Sequence, residues 1–186
     1  MENKKIIKVD IDGVLRNLSI GMCEVYNHEF GTKYTPDDIN KYNVNNVFTM
    51  CEEFLHMSAF EFFFKEYGFF IFRHSPMFEN AKKAIDLLHD NGYRTVIVSS
   101  QTSFESQKLT LEWLNANEIF YDDICFTSQK GMVKGDYMVD DYPKYLDLCD
   151  GENQILIDAP YNRWCDKYKR YNNIYDFAKD LVETID

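Results

Sequence analysis

The chain has 186 residues, 45% of them apolar, and a formal net charge of −11 at pH 7. This length allows one domain, or one domain with a small insertion, and a core large enough to fold. The acidic balance leaves no basic stripe for a nucleic-acid polymer and gives no attraction to an anionic membrane surface, and no stretch approaches the roughly 18 apolar residues of a membrane span.

The cysteines predict a reducing environment. They are odd in number, widely spaced and without a C-x-x-C pair, which is typical of free thiols and unlike a disulfide or zinc framework. The five are Cys23, Cys51, Cys125, Cys149 and Cys165. The first residues lead into a strand and not into the apolar region of a signal peptide, so we expect a cytoplasmic protein.

The first predicted strand, Ile6–Val9, runs directly into two acidic residues. Asp10 and Asp12 follow it, and Gly13 permits a sharp turn. Parallel strands present their carboxyl ends to the ligand in open α/β sheets, so both carboxylates are expected there. Asp10 is the candidate nucleophile toward phosphorus, and Asp12 the candidate acid and base. The alternative is that both only cap the strand or begin a loop.

Residues 16–75 have no strand pattern and are rich in aromatic side chains. Nine of them lie within nineteen residues: Phe54, Phe60, Phe62, Phe63, Phe64, Tyr67, Phe69, Phe70 and Phe72. Most are expected to fill the core of a small helical subdomain. A minority could line a cleft and stack against a nucleobase.

Beyond residue 75, strands and helices alternate, which predicts a parallel sheet covered on both faces. A helix over Glu79–Asn91 places Ala81, Ala84, Ile85 and Leu88 on its apolar face, and one over Phe104–Asn117 is expected to turn Phe104, Leu111 and Leu114 inward. The other predicted elements are strands at Thr95–Val98, Ile124–Phe126, Tyr137–Val139 and Gln154–Ile157 and a closing helix at Ile174–Ile185 that uses Phe177, Leu181 and Ile185.

Two further strand ends carry polar residues. Ser99 and Ser100 follow the second strand and could cradle a phosphate, although serine at this place is also a common helix N-cap. Ser103 is expected to cap the next helix. Asp140 and Asp141 follow a later strand, where they could hold a divalent cation, with Mg²⁺ the expected ion, or cap the chain ahead of Pro143.

A lysine would be needed beside these acids to neutralise a phosphoaspartate. Lys130 and Lys134 both lie in the loop before the second acidic pair. Most single lysines are merely solvated, so the loop by itself does not choose between them.

The ordered set Asp10-x-Asp12-Gly13, Ser99, a lysine and Asp140-Asp141 resembles the haloacid dehalogenase superfamily of phosphohydrolases. Within it, the segment Val9-Asp-Ile-Asp-Gly-Val-Leu15 and the segments that begin at Lys130 and Ile157 resemble the 5'(3')-deoxyribonucleotidase family. The resemblance implies a Rossmann-like α/β/α core with a parallel sheet and a helical cap inserted after the first strand. The core would comprise residues 1–15 and 76–186, and the cap residues 16–75.

The resemblance also implies the roles of the site residues. Asp10, the Asp12 backbone carbonyl and Asp141 would hold Mg²⁺ with Asp140 nearby, and Ser99, Ser100 and Lys130 would bind phosphate. The Lys130 spacing matches the family lysine better than that of Lys134. The sequence departs from the family at three places. Arg16 replaces a small residue, and Ser99-Ser100-Gln101 replaces Thr-Ser-Pro. The family's cap recognises the base with aromatic residues that include tryptophan, whereas Trp113 and Trp164 lie outside the insert.

These features predict a magnesium-dependent phosphatase that dephosphorylates nucleoside or deoxynucleoside monophosphates through an aspartyl-phosphate. One alternative is a related phosphatase for another small phosphoester or a nucleic-acid 3'-phosphate. A second is a non-catalytic phosphoacceptor or nucleotide-binding module. Tyr161, Asn162 and Arg163 either help to shape the site or have only a structural role. The sequence is compatible with a homodimer, and its expected partner is a small phosphorylated substrate.

Overall fold

The computed structural model describes residues 4–184, which form an α/β fold around a six-stranded parallel sheet. The strand order is β3-β2-β1-β4-β5-β6. The strands are β1 (Ile6–Val9), β2 (Arg94–Ser99), β3 (Asp123–Phe126), β4 (Tyr137–Asp140), β5 (Asn153–Ile157) and β6 (Lys169–Tyr171). The chain therefore reverses its direction of travel across the sheet between β1 and β4, where open α/β sheets bind ligands.

Helices cover both faces of the sheet and also form the region between β1 and β2. They are α1 (Leu18–Phe30), α2 (Met50–Leu55), α3 (Ala59–Glu61), α4 (Gly68–His74), α5 (Ala81–Asp90), α6 (Phe104–Ala116), α7 (Pro143–Leu146) and α8 (Ile174–Glu183). Single helical turns occur at Pro36–Asp38, Val44–Asn46, Lys130–Met132 and Pro160–Asn162, and a π-helical turn at Phe62–Glu66. The Rossmann-like α/β architecture with a helical insertion after the first strand is as predicted.

The two faces of β1 have different environments, because successive side chains of a strand point in opposite directions. Ile7 and Val9 belong to the larger hydrophobic cluster, together with the apolar faces of α5 and α8. Lys8 lies between them in sequence and is completely buried on the other face, next to Cys149. The predicted apolar strand therefore carries one buried charge.

The predicted elements past residue 75 begin and end within two residues of the observed ones. Three features of the structure differ from the prediction: the inward face of α6 is different, and β6 and α7 were not predicted. The apolar face of α5 is confirmed, since Ala81, Ala84, Ile85 and Leu88 are fully buried. In α6, Leu114 is buried as predicted, but Phe104 is 82% exposed and Leu111 is 40% exposed. The inward face of α6 instead includes Leu109, Thr110 and Trp113, whose spacing places them on the same side of the helix as Leu114.

The sequence missed the edge strand β6 and the short helix α7. Lys169 and Arg170 make β6 look polar, because an edge strand has one side open to solvent. Phe177 and Leu181 of α8 are buried as expected, while Ile185 lies outside the described residues.

The helices between β1 and α5 enclose a hydrophobic cluster of their own. Tyr26 is at its centre and makes aromatic contacts with several rings, including Phe48 and Phe63. Of the nine aromatic residues in the rich stretch, Phe62, Phe63 and Phe72 are buried, whereas Phe54, Phe60 and Phe69 are more than half exposed. The chain enters and leaves this region side by side, since the Asn17 amide donates to the Pro76 carbonyl at 2.8 Å.

Within residues 4–184, no helix is both long enough and apolar enough to cross a membrane.

Candidate active site

The carboxyl ends of the adjacent strands β1 and β4 bring three buried carboxylates together. Asp10 follows β1, Asp140 ends β4 and Asp141 comes next, and one oxygen of each lies within 4.8 Å of those of the other two. Gly13 allows the turn after β1 to come close to Asp141. It has φ of +91°, and a Cβ at this position would lie 2.3 Å from Oδ2 of Asp141, so any larger residue would collide with that carboxylate.

Lys130 supplies the positive charge of the cluster. Its Nζ lies 2.9 Å from Oδ1 of Asp10 and 2.8 Å from Oδ2 of Asp140, and its side chain is completely buried. The Nζ is also 4.4 Å from the centre of the Tyr145 ring. Lys134, the other lysine of the loop, donates to the Gly131 carbonyl instead. The loop therefore turns Lys130, and not Lys134, toward the carboxylates.

Three carboxylates around one lysine leave an excess of negative charge, and the pKa values respond to it. Burial is the largest influence on Asp10 and, with repulsion from Asp140 and Asp12, it raises the pKa of Asp10 to about 7 despite the opposing attraction of Lys130. Burial and the charges of Asp140 and Asp10 also raise the pKa of Asp141 well above its usual value. Burial would lower the pKa of Lys130, but the charges of Asp10 and Asp140 outweigh it and raise that pKa.

The cluster fits a hard divalent cation. Lys130 pairs with Oδ1 of Asp10, and the Tyr161 hydroxyl donates to Oδ2 of Asp141. This leaves the second oxygen of each carboxylate for a metal, whereas Asp140 already accepts from Lys130 and from the Tyr142 amide. Carboxylate oxygens are the ligands that Mg²⁺ prefers, and a cation here would relieve the repulsion that raises the two pKa values.

Asp12 lies outside the group of three buried carboxylates and is held at both of its oxygens. Arg16 places Nε and Nη2 each 2.7 Å from Oδ1, and Gln101 donates its side-chain amide to Oδ2 at 2.5 Å. The side chain of Asp12 is 22% exposed, while that of Arg16 is completely buried behind it. Asp12 is thus the accessible acid of the site, and its carboxylate is not part of the cluster formed by Asp10, Asp140 and Asp141.

The two predicted phosphate-binding serines have different environments. Ser99 is the last residue of β2, next to β1 in the sheet, and is 1% exposed. Since Val9 pairs with Ile97, Ser99 lies two residues farther along β2, near the end of the strand that carries Asp10. Ser100 is only half-buried, in the turn before α6. Ser103 caps α6, as predicted, because its hydroxyl accepts from the Ser106 amide at 3.1 Å.

Tyr42 contacts Tyr142 and Tyr161, and these three tyrosines lie beside the acidic cluster. Tyr161 bonds to Asp141, and Asn162 fixes the same turn by donating to the Asp141 and Ile157 carbonyls at 2.7 and 2.8 Å. Tyr42, from the helical region, stacks on Tyr142 with a ring-centre distance of 3.4 Å. The Tyr42 ring also meets the Tyr161 ring edge-on, with ring centres 5.8 Å apart. The helical region therefore reaches the edge of the acidic cluster.

Sequence reasoning did not assign functions to Arg16, Gln101 or Tyr42. The first two were visible only as departures from the family pattern, and nothing local connected either with Asp12. Arg163, considered with Tyr161 and Asn162, instead pairs with Asp158 at 3.0 Å on the surface.

Comparison with known structures defines the class of protein. The fold matches L-2-haloacid dehalogenase from Xanthobacter autotrophicus with a TM-score of 0.67 at 7% identity, covering 99% of this chain and 100% of the other. It also matches D,D-heptose 1,7-bisphosphate phosphatase from Burkholderia thailandensis with a TM-score of 0.55 at 13% identity, covering 96% and 99%. The molecule has the haloacid dehalogenase-like fold.

Sequence comparison then identifies the family. The family model described as "5' nucleotidase, deoxy (Pyrimidine), cytosolic type C protein" matches residues 4–184, so the chain belongs to this family of phosphatases. It is 27% identical to the 5'(3')-deoxyribonucleotidase of Clostridium acetobutylicum over 187 residues, which cover 98% of this chain and 97% of that protein. The predicted superfamily and family are both confirmed.

Proposed function

We propose that this phosphatase is a magnesium-dependent 5'(3')-deoxyribonucleotidase that hydrolyses nucleoside or deoxynucleoside monophosphates through an aspartyl-phosphate. The observation that carries the proposal is the convergence of Asp10, Asp140 and Asp141 on Lys130 at the ends of β1 and β4. Membership of the nucleotidase family supports the substrate class. The five cysteines without disulfides support a cytoplasmic location.

The positions of the site residues support the following roles. Asp10 and Asp141 would hold Mg²⁺ through their open oxygens, with the Asp12 backbone carbonyl and Asp140 close by. The ion would neutralise phosphate charge and align the phosphorus for attack. An Asp10 oxygen then bonds to phosphorus as the ester bond breaks, and Asp12 gives its proton to the leaving alcohol. Afterwards Asp12 takes a proton from the water that hydrolyses the aspartyl-phosphate.

Lys130, Ser99 and Ser100 are proposed to bind the phosphate. Lys130 is already desolvated and paired with the nucleophile, so it can stabilise negative charge on the phosphoryl oxygens without rearranging. Ser99 ends the neighbouring strand and presents its backbone at the turn before α6, where amide groups and the helix N-terminus favour anions.

The helical region, residues 16–75, is proposed to act as the cap over residues 1–15 and 76–186. A crevice of about 270 Å³ lies between this region and α6, and Phe64, Phe69 and Phe72 contribute aromatic surface to it. Like a more open depression of about 460 Å³ that includes Lys33 and Tyr34, this crevice is lined by none of the predicted site residues.

The test is phosphate release from a panel of 5'- and 3'-monophosphates of deoxyribo- and ribonucleosides, with sugar phosphates and a 3'-phosphorylated oligonucleotide for comparison. The expected result is a higher kcat/KM for a nucleotide, dependence on Mg²⁺, and no turnover by Asp10→Asn. A preference for a sugar phosphate or for the oligonucleotide would overturn the nucleotidase proposal and leave the phosphatase assignment intact.

Magnesium binding can be tested without activity. At 100 times its dissociation constant, a ligand that binds only the folded state stabilises it by about 2.7 kcal/mol. We therefore expect Mg²⁺ to raise the Tm of the wild type, and to raise that of Asp141→Asn less. An unchanged Tm in the wild type, with activity intact, would contradict the metal assignment.

A further inference from the structure

The carboxylate of Asp12 has a charged or amide donor on each of its oxygens. We propose that Arg16 and Gln101 are positioning residues that fix the orientation of this carboxylate for proton transfer to the leaving alcohol, an inference that rests on the proposed phosphatase mechanism. Arg16 approaches Oδ1 with two nitrogens and Gln101 approaches Oδ2. Donors on both oxygens define the plane of the carboxylate, which a single hydrogen bond would not do.

The guanidinium of Arg16 is itself immobilised by three other residues. Its Nη1 donates to the Phe72 carbonyl at 2.7 Å, and its Nη2 donates to Oγ1 of Thr110 at 3.0 Å. The ring centres of Phe72 and Trp113 lie 5.1 and 5.2 Å from the guanidinium carbon. Because these contacts come from both α4 and α6, the direction of the Arg16 donors toward Asp12 is fixed by the tertiary structure.

Arg16 also lies where the helical region joins the sheet. Its backbone forms isolated β-bridges with Asp12 and with Met77, and its carbonyl accepts from the Gly13 amide at 2.9 Å. Arg16 therefore lies where the two connecting segments of the proposed cap run side by side. Because Arg16 contacts both Asp12 and α4, the orientation of the Asp12 carboxylate depends on the position of α4.

Gln101 contacts the oxygen of Asp12 that Arg16 leaves free. It lies in the turn between β2 and α6, and its backbone carbonyl accepts from the Gln107 side chain at 3.1 Å, which steadies the turn. Gln101 therefore holds Oδ2 of Asp12 from a different segment of the chain than Arg16, which follows β1.

Burial separates this role from direct contact with substrate. Arg16 has no exposed side-chain surface, whereas Asp12 retains 22% of its own. The arginine acts on the reaction only through Asp12. Its loss should therefore affect the step in which Asp12 gives up a proton more than it affects phosphate binding.

The test uses the proton requirement of the leaving group. A nucleoside oxygen departs as the Asp10–phosphorus bond forms and needs the Asp12 proton, whereas p-nitrophenolate is stable enough to leave without one. Release of nucleoside or of p-nitrophenol is measured in single turnovers with saturating Mg²⁺, which isolates this first step from hydrolysis of the aspartyl-phosphate. The nucleotide is the best substrate from the panel above.

We expect Arg16→Ala to slow nucleoside release tenfold or more and p-nitrophenol release less than threefold, with little change in KM. Gln101→Ala should show the same selectivity with a smaller loss, and Arg16→Lys should recover part of the nucleoside rate. Arg73→Ala is the matched control, because Arg73 also joins α4 to α6, through Glu112 at 3.4 Å, but does not touch Asp12. It should leave both rates unchanged.

Equal losses on the two substrates, or no loss on either, would overturn the positioning role. If Arg16→Ala does not fold, Gln101→Ala decides the question, because the Gln101 side chain has no part in the buried arginine contacts. Failure of the proposed function would look different. If only the nucleotide preference were wrong, the substrate panel would show it, and if the phosphatase mechanism were wrong, the wild type would release neither product at a rate above that of Asp10→Asn.

Discussion

Among residues 4–184, two lysines are completely buried, and their surroundings differ in charge balance. Lys8 contacts one carboxylate, Glu152, with both oxygens within 3.0 Å of its Nζ, and its other partners are neutral. Lys130 lies among Asp10, Asp140 and Asp141. The charges around Lys8 cancel, whereas those around Lys130 leave an excess of negative charge.

The comparison separates a structural ion pair from a binding site. In the buried pair of Lys8 and Glu152 one positive charge balances one negative charge, so no further ion is needed. Lys8 completes its hydrogen bonds by donating to the Lys130 and Val133 carbonyls at 3.1 and 2.7 Å. An unbalanced cluster is destabilising unless a cation or protons compensate for it. The raised pKa of Asp10 is what such a cluster produces without a metal. Lys8 supports the loop that carries Lys130, so the balanced region holds part of the unbalanced one in place.

The largest expected difference between the two lysines is in catalysis. Lys130→Met should lower kcat about 10²- to 10³-fold, because it removes a preorganised charge next to the nucleophile. Lys8→Met should lower the kcat of folded protein far less, since Lys8 acts only through the loop. Steady-state kinetics of the two purified variants make the comparison, and similar losses in both would contradict it.

For folding stability, we expect the larger effect from substitution of Lys8. Lys8→Met leaves Glu152 buried and unpaired, which should cost about 3 to 5 kcal/mol in the free energy of unfolding. The double variant Lys8→Met, Glu152→Leu should recover much of this loss, because no uncompensated charge remains. Denaturant titration measures both. A single variant as stable as the wild type would show that the pair has no structural role.

The pH dependence of stability should come from the unbalanced cluster. The pKa of Asp10 is about 7 in the folded protein and near 3.8 when unfolded, so the folded state binds the proton more tightly. Its contribution is fully present below pH 3.8 and is lost as the pH rises through 7, a loss of roughly 4 kcal/mol in metal-free protein. Asp141 shifts in the same direction.

Asp10→Asn isolates this contribution. The stability of the wild type relative to that of the variant should fall between pH 4 and pH 8 in the presence of a chelator, and Mg²⁺ should reduce the fall. Asp86→Asn, which alters an exposed pair with Lys82, is the matched control and should track the wild type. A relative stability that rises with pH would contradict the charge excess.

The smallest expected effect concerns the support of Asp141. Tyr161→Phe keeps the ring and removes the hydroxyl that donates to this carboxylate. Partners of this kind contribute about tenfold to metal affinity, so half-saturation by Mg²⁺ should rise by about that factor while maximal activity changes little. Activity measured against Mg²⁺ concentration tests this, with Tyr168→Phe as a control, because Tyr168 bonds to the surface residue Asp147.

The order of elements along the chain was largely predictable, because local patterns determine it. Apolar runs that end in polar residues located the first five strands of the sheet, and helical spacing located α5. The assignment of β6 failed because its two charged residues hide a strand that is open on one side. The inward face of α6 was predicted wrongly because aromatic and aliphatic residues do not reveal which side the sheet will cover.

The sequence by itself determined that both acidic pairs lie at the carboxyl ends of parallel strands, on the same edge of the sheet, since that rule depends only on strand direction. The family resemblance had already selected Lys130 as the lysine of the site. Only the tertiary structure decided which other distant groups meet the acids: Arg16 and Gln101 with Asp12, and Tyr161 with Asp141. Nor could the sequence reveal that Lys8 is paired with Glu152 inside the fold. Hydrogen bonds and ion pairs act over a few ångströms, so they depend on three-dimensional proximity, which local patterns do not specify for residues far apart in the chain.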